Sequence, residues 1–177
     1  MRFHSIDNFS IANGPGVRVS LYVSGCSHHC KNCFNPETWA FDSGQPFTDE
    51  TQHYLESCLG LPQITGLTVV GGDPMEPCTQ GDLLKCLESV RKNRPDKDIW
   101  VYTGYLWEDL IKGKAHTEYT DKLLSLTDVL VDGPYREDEH NYTLKFRGSS
   151  NQRIIDVKQS LEKGGVLKWK QETTGSH

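Results

Sequence analysis

The sequence predicts an α/β fold built on a parallel sheet. Two observations predict it. Apolar runs of strand length alternate with amphipathic helical runs at a repeat near ~30 residues, which is the rhythm of βαβ units. The unusual polar and glycine-rich groups each fall just after one of those strands: Cys26, then Gly71-Gly72-Asp73, then Thr103-Gly104, then Asp132-Gly133. In a parallel sheet such strand ends share one edge, and that edge carries the active site. Positions far apart in the chain are therefore expected to meet in space.

Met1 to Phe9 is an ambiguous lead-in, and Asn13-Gly14-Pro15-Gly16 is a turn by composition. Val17, Val19, Leu21 and Val23 then alternate with Arg18, Ser20 and Tyr22, a period-2 strand ending at Gly25. Thr48 to Leu59 reads as a helix capped by Thr48, with Asp49 and Glu50 in its positive first turn and Gly60 and Pro62 as its stop. Tyr54, Leu55, Cys58 and Leu59 share one face of it, so Cys58 reads as a core thiol. Gly66 to Val70 is a short strand. Thr79 and Asp82 make a capping-box start for a helix whose Leu83, Cys86, Leu87 and Val90 recur at helical spacing. Ile99 to Tyr102 and Val129 to Val131 are strands, with helical pieces at Leu106 to Ile111 and Tyr119 to Leu126 between them, around a break at Gly113. Tyr135 to Tyr142 reads as a charged surface loop, and Phe146 to Arg153 as a polar connection into a strand from Arg153 to Val157.

The bulk numbers narrow the class. The 177 residues suit one domain, expected over 1–170, with a polar tail over 171–177. Lys+Arg of 19 against Asp+Glu of 24 gives a net charge of −5, and no basic run stands out, which argues against nucleic acid as partner. No apolar run approaches ~20 residues, which argues against a membrane span, and the N-terminal stretch has no apolar signal-peptide core. Six cysteines then point to a reducing compartment, hence a cytoplasmic protein whose thiols stay free or bind metal.

The richest stretch runs from Gly25 to Trp39. It places Cys26, Cys30 and Cys33 at C-x3-C-x2-C spacing. Three thiols cannot all pair with one another, and so tight a loop strains any bridge. Thiolates converging from one loop can instead grip a metal centre. Iron–sulfur clusters are held by cysteine thiolates and normally take four, so three leave one iron open for another ligand. Two other readings use the same residues: a zinc site completed by His28 or His29, and a ferredoxin-like cluster completed by Cys58. Lys31 and the two histidines read as solvated loop residues. At Gly71-Gly72-Asp73, glycines leave backbone groups open to close approach by a ligand, and the carboxylate can accept from an ammonium. Cys78 has no assigned role.

The cysteine spacing together with Gly71-Gly72-Asp73 resembles the signature of the radical S-adenosylmethionine (SAM) enzymes. The likeness extends through Gly14-Pro15-Gly16-Val17-Arg18, Asn35-Pro36-Glu37-Thr38-Trp39, Gly71-Gly72-Asp73-Pro74, Tyr102-Thr103-Gly104-Tyr105, Val131-Asp132-Gly133-Pro134-Tyr135 and Phe146-Arg147-Gly148-Ser149-Ser150-Asn151-Gln152-Arg153. Over Phe3 to Val157 the chain is similar to the glycyl-radical activases of that family, in particular those that act on anaerobic ribonucleoside-triphosphate reductase. The resemblance implies a [4Fe-4S] cluster on Cys26, Cys30 and Cys33, with SAM as the fourth ligand. It implies that one electron cleaves SAM to methionine and a 5′-deoxyadenosyl radical, which takes a hydrogen atom from a glycine Cα of the reductase. A primary carbon radical is far less stable than a glycyl radical between two amides, so the transfer runs downhill. No catalytic acid or base is then required, since cluster and SAM carry the chemistry.

Further expectations follow from the same likeness. Gly71, Gly72 and Asp73 contact the amino group of SAM. Thr103 and Asp132, a hydroxyl and a carboxylate at neighbouring strand ends, read either as groups that bind SAM or a cation beside its carboxylate or as capping and turn residues. Many relatives carry an aromatic residue before the last cysteine to pack on adenine; here Asn32 stands there, so adenine contact falls to the backbone of Asn32, Cys33 and Phe34. Flavodoxin or ferredoxin is the expected electron donor. A full eight-unit barrel needs ~250 residues, so the expected fold is an open partial (βα) barrel of about five to six units, of radical SAM type.

Overall fold

The strand with the clearest alternation, β2 (Val17–Val23), lies near the middle of a seven-stranded sheet. The others are β1 (Arg2–Ser10), β3 (Gln45–Pro46), β4 (Ile64–Gly71), β5 (Asp98–Tyr102), β6 (Val129–Asp132) and β7 (Arg153–Asp156), in the spatial order β3-β1-β2-β4-β5-β6-β7. This computed structural model describes residues 1–170; the expected polar tail, 171–177, lies outside the described residues.

β2, β4, β5 and β6 run parallel, so their C-terminal ends share one edge as expected. β1 pairs antiparallel with β2, and β3 with β1. At the far side β7 returns antiparallel along β6. The strand expected at Arg153 is therefore present but is not another parallel repeat, and the parallel set stops at four strands rather than reaching five or six units.

Each parallel strand sends alternate residues to opposite faces. Val19, Leu21 and Val23 of β2, Leu67 and Val69 of β4, Ile99 and Val101 of β5 and Leu130 of β6 face the main core. There they meet Leu55 and Leu59 of α1 (Asp49–Leu59), Leu83, Leu87 and Val90 of α2 (Pro77–Asn93), Leu110 of α3 (Trp107–Ile111), Leu123 and Leu124 of α4 (Thr120–Leu126), and Val157 of α5 (Val157–Lys163). All five helices thus pack on one face. The other face carries Trp100, Val129 and Val131, covered by Phe146, Ile154 and Trp169. It also buries a charge: Arg18 donates from Nε to Thr68 Oγ1 at 2.8 Å and from Nη2 to the Leu67 carbonyl at 2.9 Å, and pairs with Asp98 Oδ1 at 2.8 Å.

Local signals explain most boundaries. Thr48 caps α1, accepting from Thr51 N–H at 3.3 Å while Thr51 Oγ1 accepts from Thr48 N–H. α2 starts at Pro77 rather than at the expected Thr79 cap, because proline at the first helical position loses no needed hydrogen bond. Cys58 and Cys86 are buried in the core, as their helical spacing predicts. The lead-in proves to be β1, whose register shifts between Phe3 and Ser5 and between Asp7 and Ser10 break the period-2 pattern. No helix among the described residues is long and apolar enough to cross a membrane.

Candidate active site

The cysteine loop begins where β2 ends. Gly25 takes a left-handed backbone, φ +101°, and its N–H donates to the Thr38 carbonyl at 2.8 Å; Cys26 N–H donates to the Trp39 carbonyl at 3.0 Å. The short 3-10 turn Pro36–Thr38 therefore folds the loop back onto its own start. Inside it, His29 (φ +46°) and Asn32 (φ +54°) also take left-handed backbone, and Cys33 N–H closes a turn on the Cys30 carbonyl at 3.1 Å. Cys26, Cys30 and Cys33 line a single cavity of about 460 Å³. All three are free thiols, and burial pushes Cys26 up to about 12 and raises Cys30 as well.

The end of β4 lies against this loop. Gly72 N–H donates to the Val23 carbonyl at 2.8 Å and Asp73 N–H to the Gly25 carbonyl at 2.7 Å. A Cβ on Gly72 would sit 2.4 Å from the Gly25 oxygen. Gly72 is thus required by close approach of the chain's own cysteine loop, and Gly71, at φ +107°, by its left-handed backbone and the close approach of Val23 on β2.

Asp73 is 1 % exposed, and both of its carboxylate oxygens meet protein groups. Oδ1 accepts from Met75 N–H at 2.9 Å; Oδ2 accepts from Thr103 Oγ1 at 3.0 Å and Gly104 N–H at 2.8 Å, and lies 2.9 Å from His28 Nε2. One side chain thereby ties the cysteine loop to the ends of β4 and β5. The Asp73 carboxylate raises the His28 pKa against the opposing effect of burial. His28 packs edgewise on Tyr105, ring centroids 4.5 Å apart, above Gly104, where a Cβ would meet the imidazole at 2.5 Å. Glu76 completes the scaffold, accepting from Ser27 N–H and Oγ at 2.6 Å each and from the Tyr105 hydroxyl at 3.1 Å.

Residues 12–155 match the family model described as a 4Fe-4S single cluster domain. The chain is 40% identical over 156 residues to the anaerobic ribonucleoside-triphosphate reductase-activating protein of Escherichia coli (strain K12), covering 87% of this chain and 97% of that one. It is 38% identical over 156 residues to the protein of that name from Vibrio cholerae serotype O1, with the same coverage. It is 38% identical over 154 residues to that of Enterobacteria phage T4, covering 87% of this chain and 93% of the phage protein. The chain belongs to the family of anaerobic ribonucleoside-triphosphate reductase-activating proteins.

The donor set suits the cluster this family model describes: thiolates are the ligands of iron–sulfur clusters, and three free thiols open into one cavity. Of the site residues expected from sequence, Cys26, Cys30, Cys33, Phe34, Gly71, Gly72, Asp73 and Thr103 line that cavity. Asn32 does not; it is exposed and its amide donates to Glu137. Asp132 does not line it either. It is fully buried, accepts from Trp107 N–H at 2.7 Å at the start of α3, and receives both Arg153 Nε, at 2.9 Å, and Nη2. His28, Tyr22, Tyr102, Arg147 and Gln152 also line the cavity. Sequence reasoning left them out, although His28 sits inside the cysteine spacing and Arg147 and Gln152 belong to a stretch that carries the family likeness.

Proposed function

We propose that this chain activates an anaerobic ribonucleoside-triphosphate reductase by raising a glycyl radical on it. Cys26, Cys30 and Cys33 would hold a [4Fe-4S] cluster as its thiolate ligands, leaving a coordination position that SAM would take. The observation that carries this reading is the convergence of three free thiols and the Gly71-Gly72 strand end on one cavity, in a chain of this family. When bound, the reduced cluster and SAM supply an electron and a sulfonium, giving methionine and the 5′-deoxyadenosyl radical that takes the glycine hydrogen.

The chain's own residues bind and orient. Gly71, Gly72 and Thr103 border the methionine end of SAM, and the Cys33–Phe34 backbone borders adenine. Asp73, which also lines the cavity, borders the methionine end of SAM as well and locks the loops through its hydrogen bonds. Asp132 is assigned to holding Arg153 and α3. No general base is invoked, because a hydrogen atom moves without a separate proton transfer; positioning close to the cluster sets the rate.

The sheet is read as an open partial barrel of radical SAM type, with helices outside and the cavity at the strand ends. Helix packing on a single face supports this. Residues 1–170 are read as one domain, because five helices and most strands contribute to a single core. Six free thiols favour the reducing cytoplasm, and flavodoxin or ferredoxin is the proposed donor. The test is anaerobic reconstitution with iron and sulfide, then dithionite and SAM, with 5′-deoxyadenosine as readout. Adding the reductase should then produce a glycyl signal in electron paramagnetic resonance. A chain that binds zinc alone, or that leaves SAM intact, refutes the reading.

A further inference from the structure

We propose that an aromatic ladder at the cavity mouth, formed by Phe34, Tyr135, His140 and Tyr142, is the surface on which the glycine-bearing segment of the reductase lies in extended form. The inference rests on the function proposed above and names the partner surface of that same site.

The ladder is continuous. Ring centroids are 5.0 Å apart for Phe34 and Tyr135, 5.9 Å for Tyr135 and His140, and 4.3 Å for His140 and Tyr142. It starts at the residue after Cys33 and runs outward from the cysteine loop, and all four rings line the cavity. Yet Phe34 is 63 % exposed and Tyr142 is 92 % exposed. Next to Ala12 and Asn13, which also line the cavity, Ile11 is 74 % exposed. Apolar surface thus gathers where the cavity opens.

The ladder is also held in place. His140 bridges Ser149 antiparallel, and His140 Nδ1 lies 2.9 Å from the Gly148 carbonyl. Arg136 N–H donates to Ser149 Oγ at 3.1 Å, and Ser150 N–H to the Glu139 carbonyl at 3.0 Å. Gly148 backs the first two rings so closely that a Cβ there would stand 2.9 Å from Phe34 and 3.0 Å from Tyr135. Phe34, Tyr135 and His140 are thus held in place while Tyr142 rests on the His140 ring, and rings already positioned carry less ordering cost on binding; aromatic residues dominate interface energetics.

The chemistry selects the occupant. The reacting atom is a backbone Cα of a residue with no side chain, and it must come within contact of the reacting carbon inside the cavity. Recognition must then come from the peptide planes and the flanking residues, and flat rings accept peptide planes without a specific side chain. Two of the ladder's carboxylates are paired in place, Glu137 with Lys31 at 2.8 Å and Glu139 with Arg136 at 2.9 Å, and Asp138 and Arg147 nearby are of opposite sign. Binding through this surface should therefore depend weakly on salt.

The experiment uses the reconstituted full chain and the intact anaerobic reductase of the same organism. Tyr142→Ala and Tyr142→Phe are compared with wild type in three assays: 5′-deoxyadenosine formed with dithionite and SAM alone, dissociation constant for the reductase, and glycyl signal against reductase concentration. Tyr142→Ala should weaken binding by about ten-fold or more at both low and high salt, with unchanged SAM cleavage in the absence of reductase. Tyr142→Phe should bind within about two-fold of wild type. Wild-type affinity in Tyr142→Ala overturns the proposal, as does loss of reductase-free SAM cleavage, which would make Tyr142 a cofactor contact. If wild type cleaves SAM yet raises no glycyl signal, the proposed function fails and takes this inference with it.

Discussion

Replacing Gly72 with alanine probes the contact between the cysteine loop and β4. The added Cβ would lie 2.4 Å from the Gly25 carbonyl oxygen and 2.9 Å from the Gly25 nitrogen and carbonyl carbon. An ordinary carbon–oxygen contact is near ~3.3 Å, so the two backbones must part by roughly 0.9 Å. Both contacting groups are backbone, so no side chain can swing aside. The same Gly25 oxygen accepts from Asp73 N–H at 2.7 Å, and that bond is stretched or lost. Overpacking of this kind costs about 1–3 kcal/mol and the hydrogen bond about 0.5–1.5 kcal/mol, giving roughly 2–4 kcal/mol in all.

That cost should lower Tm by roughly 4–16 °C for a chain of this size. The larger effect falls on activity. The displaced segment runs directly into Cys26, and a shift near ~1 Å in a reacting assembly costs on the order of 10²-fold in rate. The assays are thermal unfolding, iron bound per chain after reconstitution, and 5′-deoxyadenosine formation at a temperature where the variant is folded. Gly165→Ala is the control: nothing lies within 4 Å of a Cβ there, so it should stay within about 0.5 kcal/mol of wild type. The reasoning fails if Gly72→Ala melts with wild type, binds a full cluster and cleaves SAM at the wild-type rate.

Other substitutions separate the remaining roles. Cys26→Ala, Cys30→Ala and Cys33→Ala should each abolish cluster binding and SAM cleavage, whereas Cys78→Ala should keep both and Cys86→Ala should lose only stability, on the order of 1–2 kcal/mol; iron content and visible absorbance after reconstitution decide. Asp132→Asn leaves the Trp107 N–H and the half-buried Arg153 poorly matched at a fully buried position, although Arg153 keeps Glu108, so it should cost roughly 1–3 kcal/mol in urea unfolding with an unchanged SAM concentration dependence; a raised KM for SAM would return Asp132 to the cofactor. Arg18→Met removes donors from Thr68 and Leu67 and leaves the buried Asp98 Oδ1 without its cation, so a loss of about 3–5 kcal/mol is expected. Its SAM cleavage rate should match wild type.

What could be read from the sequence was whatever depends on spacing. β2 alternates cleanly because one face meets the helices and the other meets Trp100 and its neighbours. α1 declares its start because Thr48 is a capping residue. The shared edge was legible because direction follows from the βαβ order of β2, β4, β5 and β6. The rest depends on partners distant in sequence. Nothing local in Arg153 to Asp156 says that this strand runs back along β6. Nothing local in Asp132 says that its carboxylate meets Arg153, 21 residues away. His28 reads as a solvated loop residue until β4 and β5 bring Asp73 and Tyr105 against it.

The same long-range partners hold the cysteine loop through protein contacts alone. Asp73 N–H holds the cysteine loop through the Gly25 carbonyl, and the Asp73 carboxylate holds the end of β5 through Thr103 and Gly104. Ser27 is fixed by Glu76, and the far end of the loop by Thr38 and Trp39. A loop so tied loses little conformational freedom when metal binds, and ordering costs of that kind otherwise subtract from affinity. The Asp73 carboxylate accepts from three protein donors, Met75 N–H, Thr103 Oγ1 and Gly104 N–H, and lies beside His28. In this chain the acidic residue of the Gly-Gly-Asp element is therefore part of the frame that holds the cysteine loop in place.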